Sequence, residues 1–355
     1  MLRQLFLKTI QANYRSIHTS RLKRPISVAP MVDISTPQFL ELLRIISGQR
    51  YTYYTEMHHC RAIMSHADHL DRFLGPPHSN VVVQLGGSSV EDMAMATKIL
   101  QDQGYAEVNI NNGCPSPNVQ HGSFGAVLMK TPQLVADMLT AMDRLHVTLP
   151  VTVKCRIGVD HQESEEFLFA YLDTLLTQTT KPPPHLIVHA RKCILKGLSP
   201  KQNRTIPPLN YDRVFQLAKA YPDLIVSING GFDQVDSIRN ALHQVDGCMI
   251  GRKVMDDPLF LQTLDYAFHP QHQQKSVEQI TQEYLDYADR IYSIPLQAQD
   301  YGHPPPTLMI RPLTTLFKGR ISRQFRREIQ KQLKADTPTH LFHSIVKHAL
   351  HQSKL

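Results

Sequence analysis

The chain has 355 residues, 42 % of them hydrophobic and 19 % charged, with a formal net charge of +7. That length can bury one long α/β domain and a smaller one, and the positive balance suits a polyanionic partner. Five scattered cysteines with no CxxC pair exclude a disulfide framework and a structural zinc site, so no metal is expected. No apolar run approaches the ~20 residues of a membrane helix, so no membrane partner is expected either.

Residues 1–24 carry Arg3, Lys8, Arg15, Arg21, Lys23 and Arg24 and no acidic residue, with Leu2, Leu5, Phe6 and Ile10 on one helical face. This is the pattern of a mitochondrial presequence, so a mitochondrial location is expected, with the cytoplasm as the alternative. Short β-rich runs are predicted at 26–31, 51–57, 80–85, 106–110, 151–157, 185–189, 224–228 and 247–250. Helical spacing falls between them at 37–46, 90–103, 132–145, 165–176, 211–220 and 234–243. Only the link around 66–77 is irregular. Eight strands alternating with helices, most strands near-continuously apolar, predict a (β/α)8 TIM barrel over residues 25–257. A doubly wound open sheet is the alternative, and the lack of a GxGxxG fingerprint after the first strand counts against it. Further on come an amphipathic helix over 277–292, a break at Pro304-Pro305-Pro306 and a basic helical stretch over 308–333. Residues 258–355 are therefore expected to form a C-terminal all-helical domain. The last three residues, Ser353-Lys354-Leu355, spell a peroxisomal tail, discounted because three residues match easily by chance.

In a barrel of this kind, chemistry sits where strands run into the loops that follow. Those ends carry Ala29-Pro30-Met31, Glu56-Met57, Gln84, Asn111 with Cys114, Lys154 with Arg156, and His189 with Arg191 and Lys192. The last two carry Asn229-Gly230-Gly231 and Gly251-Arg252. Cys114, on a loop stiffened by Pro115 and Pro117, is the candidate acid; the bland reading is a small buried apolar residue. Gly122 and Gly125 are read as leaving room for a flat ligand. Glycine-rich loops after strands seven and eight suit a phosphate, and Arg252 adds charge. Gln84, Lys154 and His189 suit an electron-rich isoalloxazine, so the set favours FMN.

At these residues the sequence resembles the tRNA dihydrouridine synthases. The likeness is carried by APM at 29–31, QLGG at 84–87, the N-x-N-x-GCPS run at 109–116, VTVKCRIG at 151–158, VHARK at 188–192, NGG at 229–231 and GR at 251–252. The block HARKCILKGLSPKQNRTIPPL at 189–209 is similar to the branch that reduces uridines 20 and 20a of the D loop. The resemblance runs from about residue 24 to 327. It implies FMN held by Ala29, Pro30, Met31, Gln84, Lys154, His189, Asn229, Gly230, Gly231, Gly251 and Arg252, with NADPH as reductant. It implies Cys114 as the acid that protonates C5 of uracil while hydride reaches C6, and Asn111 helping to hold a flipped-out base. Asn203, Arg204 and Arg311 are expected to meet tRNA. Lys318, Arg320, Arg323, Arg326, Arg327, Lys331 and Lys334 would extend that basic surface on a chain expected to be monomeric. A free pyrimidine substrate, or an RNA-binding module without catalysis, are the alternatives. A small substrate needs neither the basic helices nor the loop at 196–204.

Overall fold

The computed structural model describes residues 21–295 and 302–333, with the single positions 346 and 351. Its eight strands are β1 (Ile26–Val28), β2 (Thr52–His59), β3 (Val81–Gly86), β4 (Val108–Asn112), β5 (Val151–Arg156), β6 (His185–His189), β7 (Ile225–Asn229) and β8 (Gly247–Ile250). All pair in parallel and in chain order, and β8 returns to β1 through Ile26–Cys248 and Val28–Ile250. The (β/α)8 barrel is thus closed, and an open doubly wound sheet is ruled out.

Alternation along the strands separates two cores. Outward residues such as Val83, Ile110, Val153, Val188 and Ile228 are buried under the surrounding helices. Inward residues Ala29, Tyr54, Val82, Ile187 and Met249 form a separate small cluster. Around it the interior is polar: Gln84, Asn109, Thr152, His185 and Ser227 are all buried. Side-chain caps start the ring helices, with Thr36 accepting from Phe39 N, Ser89 from Asp92 N, Ser164 from Phe167 N and Asn210 from Arg213 N.

β1 is shorter than its apolar run. After Val28 the chain makes one more ladder contact, Ala29 N donating to Ile250 O, and then turns, with Met31 O accepting from Ile34 N and Ser35 N. The irregular link after β2 resolves into the short helices Cys60–Ser65 and Leu70–Leu74 with a 3-10 turn between them.

At the floor, the N-terminal end of the strands, arginines are tied down. Arg21 makes a two-point contact with Asp246 and donates to Leu224 O, while Arg24 donates to Gln49 O and Ser79 O. Arg50 grips both oxygens of Asp265, which also accepts from Tyr51 and Ser47. Arg21 and Arg24, counted above as part of a basic extension, thus hold onto the barrel itself. Residues 1–20 and the tail tripeptide at 353–355 lie outside the described residues.

Past β8 the described chain is helical: Arg252–Asp256, Phe260–Phe268, Val277–Ser293, Pro306–Ile310 and Gly319–Leu333. A capping box of Ser276 and Gln279 opens the third of these. Its buried Ile280, Tyr284 and Leu285 belong to the same apolar cluster as helix Pro37–Ser47, and Tyr284 Oη donates to Met309 O at 2.8 Å. No helix among the described residues is long and apolar enough to cross a membrane.

Candidate active site at the barrel mouth

The loop after β4 is built around one side chain. Asn111 Oδ1 accepts from Gly113 N at 3.0 Å and Cys114 N at 2.9 Å, which turns the chain and points Cys114 away from the strand. Ala126 N closes the loop on Cys114 O at 2.9 Å. Gly125 sits there with φ 72°, and a Cβ would come within 2.7 Å of that oxygen and 2.4 Å of Val119. A Cβ on Gly122 would strike Phe124 at 2.4 Å. Both glycines are therefore required by their own loop and not by a flat ligand, which corrects the reading above.

Cys114 is half-buried and packs against the apolar cluster. Burial pushes its thiol above the ordinary value, while Arg156, Lys154 and Arg204 pull it the other way. Burial wins, so the sulfur carries its proton at neutral pH. Lys154 is pushed down to about 8 by burial and by Arg156, and its ammonium has no hydrogen bond or ion pair among the described residues. His189 is held well below its ordinary value by burial and by Arg156, Lys154, Arg191 and Arg252, so the imidazole is neutral. Arg156 and Lys154 act on both Cys114 and His189, so the two side chains share one end of the barrel.

Strands seven and eight add the glycine loops. Gly230 and Gly231 have φ 125° and 77°, and a Cβ on Gly230 would lie 2.9 Å from the His189 ring. Tyr211 Oη donates to Gly230 O at 2.6 Å and fixes this turn. The Asn229 side chain donates to Met249 O at 2.8 Å and its carbonyl accepts from Ala190 N at 2.9 Å, so it ties β7 to both β8 and β6. A Cβ on Gly251 would stand 3.6 Å from Ala29 Cβ and 4.0 Å from Met31 Sδ, which places the β1 and β8 ends side by side.

Arg156 is the residue that sequence reasoning left without a role. Fully enclosed, it donates to Gly113 O at 2.8 Å, Lys192 O at 3.1 Å and Asn203 O at 3.0 Å, bolting the Cys114 loop to the loop after β6. Arg191 is less deeply enclosed, donates to Pro207 O and keeps an unpartnered Nε.

The residues expected to meet RNA divide. Asn203 is fully buried: its oxygen accepts from Ile194 N and its nitrogen donates to Ile194 O, Leu198 O and Ser199 O. It shapes its own loop and presents nothing outward, which corrects its assignment to RNA. Arg204 is exposed beside Arg252, whose Nη2 donates to Arg204 O at 3.1 Å. Asn111 keeps one amide hydrogen for a ligand; the other reaches Gln84 Oε1 at 2.7 Å. Arg311 is exposed and lines a small cleft with Asp33, Thr36 and Met255, between the loop after β1 and the C-terminal helices. Arg320, Arg323, Arg326 and Arg327 are exposed, while Lys318 is paired with Asp257 at 2.7 Å. Lys334 falls outside the described residues.

Residues 27–349 match the family model described as Dihydrouridine synthase (Dus). The chain belongs to the dihydrouridine synthase family of enzymes. It is 43 % identical to the tRNA-dihydrouridine(20/20a) synthase of Shewanella oneidensis over 248 residues, 70 % of this chain and 72 % of that one. The protein of the same name from Synechocystis is 42 % identical, covering 75 % and 78 %. That from Vibrio cholerae is 38 % identical over 88 % of this chain and 91 % of its own. These relatives of the dihydrouridine synthase are bacterial, from organisms with no mitochondrion, and they overturn the expected mitochondrial location.

Proposed function

We propose that this dihydrouridine synthase binds FMN at the barrel mouth and, fed by NADPH, reduces the C5–C6 bond of uridine to 5,6-dihydrouridine at positions 20/20a of the tRNA D loop. The observation that carries the reading is a protonated thiol, Cys114, facing the same mouth as an unpartnered ammonium, Lys154, and a neutral imidazole, His189.

The residues present fit a phosphate-bearing flavin. Lys154 offers a positive charge with no competing acceptor, and Gly251 leaves the β8 end open beside Ala29 and Met31, while Gly230 and Gly231 make room for His189, Leu209 and Tyr211. Arg252 and the Gly251 backbone would take the phosphate, while Ala29, Pro30, Met31, Gln84, Lys154 and His189 would hold the rings. Bound there, the flavin supplies the hydride that C6 of the uracil receives. Cys114 Sγ gives its proton to C5 and regains one from solvent. Uracil reaches the thiol only after leaving its stack, and Asn111 and Arg204 border the place where it arrives. The exposed Arg320, Arg323, Arg326 and Arg327 would steady the folded RNA by its phosphates.

The test is to incubate the purified protein with NADPH and unmodified tRNA and to map dihydrouridine by position. Product confined to positions 20 and 20a is expected. Product elsewhere would shift the site reading, and none at all would overturn the activity.

A further inference from the structure

We propose that Glu107 and Thr152, at the floor of the barrel, steady the Cys114 loop by terminating one unbroken chain of side-chain hydrogen bonds that starts at it. The chain begins where Gly113 N and Cys114 N donate to Asn111 Oδ1. Asn111 Nδ2 donates to Gln84 Oε1 at 2.7 Å, and Gln84 Nε2 to Asn109 Oδ1 at 2.8 Å. Asn109 Nδ2 donates to Thr152 Oγ1 at 3.0 Å, and Thr152 Oγ1 to Glu107 Oε1 at 2.9 Å.

The strand pleat assembles this chain. Glu107, just before β4, and Asn109 and Asn111 within it alternate with Val108, Ile110 and Asn112, so the three polar side chains share one inner face. Register then sets Gln84 opposite Asn109 and Asn109 opposite Thr152. From Glu107 to Asn111 the strand climbs about 13 Å, so the chain joins the floor to the mouth.

Every donor in it points the same way, from mouth to floor. An amide can be turned end for end in its site, so its sense must be fixed by neighbours that cannot turn. At the top only an oxygen can face two main-chain N–H groups. That sets Asn111, which sets Gln84, which sets Asn109. Asn109 then occupies the Thr152 oxygen as an acceptor, and the hydroxyl hydrogen must find an acceptor below. Glu107 supplies it; the alternative, Val108 O, is 3.4 Å away. Among the described residues, Tyr54 on β2 feels the Glu107 charge. A chain of aligned amides also polarises its members, so a firm acceptor at the floor strengthens the bond that Asn111 makes to the Cys114 loop. Gln84, placed above to face the cofactor, is oriented by the same links. Glu107 and Thr152 are thus positioning residues, out of reach of substrate.

The consequence for the reaction rests on the reading of Cys114 as proton donor, but the test does not. Hydrogen–deuterium exchange on the full chain reads the Gly113 and Cys114 amides directly. In Thr152→Val and Glu107→Ala, the peptide holding them is expected to exchange about ten-fold faster or more, with helix Val235–Leu242 across the barrel unchanged. Thr152→Ser and Glu107→Gln keep a hydroxyl and an acceptor oxygen, and should retain wild-type protection. Unchanged exchange at residues 113–114 in Thr152→Val, or equal acceleration in both peptides, overturns the proposal. Should Thr152→Val fail to fold, Glu107→Ala against Glu107→Gln decides it alone.

Discussion

At the floor of the barrel Arg21 and Arg50 each meet a carboxylate at two points, whereas at the mouth Lys154, Arg156, Arg191, Arg204 and Arg252 are in no ion pair among the described residues. The mouth arginines that are bonded reach carbonyls only: Gly113, Lys192 and Asn203 for Arg156, Pro207 and Thr205 for Arg191, and Arg204 for Arg252. Carbonyls satisfy N–H groups without cancelling charge. At Arg21 and Arg50 the floor has therefore neutralised its charge within the chain, and those pairs serve stability. The mouth has not, and an anionic ligand entering it gains what the floor carboxylates have already supplied.

This contrast can be broken from either end. The largest effect is expected at the mouth. Cys114→Ala should lower dihydrouridine formation by about 10²–10⁴-fold, the range lost with a positioned acid, while tRNA binding and flavin content stay unchanged. Mapping dihydrouridine in tRNA incubated with each protein checks it, and equal yields would remove the acid from Cys114. At the floor, Asp265→Ala strands Arg50 together with the Tyr51 and Ser47 hydroxyls, and should cost about 3–5 kcal/mol of folding stability. Thermal melting measures that loss, and the fraction still folded should keep its full flavin content. A variant that loses flavin while fully folded would show that the two ends are not separable.

How much of this was readable beforehand follows the same division. The β6 and β8 bounds at 185–189 and 247–250 stand in the sequence because apolar runs there stop at Gly, Arg and Ala that leave the sheet. β1 ends before its apolar run does, since Ala29 and Met31 are apolar yet turn out of the ladder after one bond. Cys114, Lys154 and His189 were legible as strand ends, where a barrel puts its chemistry. Arg156 was visible but not interpretable: its partners are main-chain carbonyls, which every residue has and no sequence displays. Asn203 failed for the converse reason, because a polar residue on a loop reads as outward-facing even when its amide caps that same loop. The period-two pattern of Glu107, Asn109 and Asn111 was present throughout and marks polar side chains entering the barrel.

A smaller effect separates charge from shape at the mouth. Lys154→Ala and Arg252→Ala should each lower the flavin carried by the purified protein by about ten-fold, with the melting temperature of the flavin-free chain unchanged or raised as repulsion is relieved. Lys154 loses its proton near 8, so flavin content should be highest below that pH and fall above it. In Lys154→Ala the fall across roughly pH 7 to 9 should vanish. The ratio of flavin to protein absorbance measures both, and a pH dependence that survives in Lys154→Ala would assign it to another group.

The smallest expected effect returns to the floor, where one acid lacks a cationic partner. Burial pushes Glu107 up to about 7 from an ordinary 4.5, against the pull of its bond from Thr152. The folded chain therefore holds this proton more tightly than the unfolded chain does. Its contribution to stability is complete below about 4.5, declines as pH rises toward 7 and is absent above. Glu107→Gln keeps the acceptor for Thr152 and removes the ionisation. Relative to Glu107→Gln, the wild-type melting temperature should drop by about 2–4 °C over that interval, a size set by the partial solvent access of this half-buried carboxyl. Parallel curves for the two proteins would show that Glu107 is charged at no folding cost, and would place it with the satisfied ion pairs of the floor.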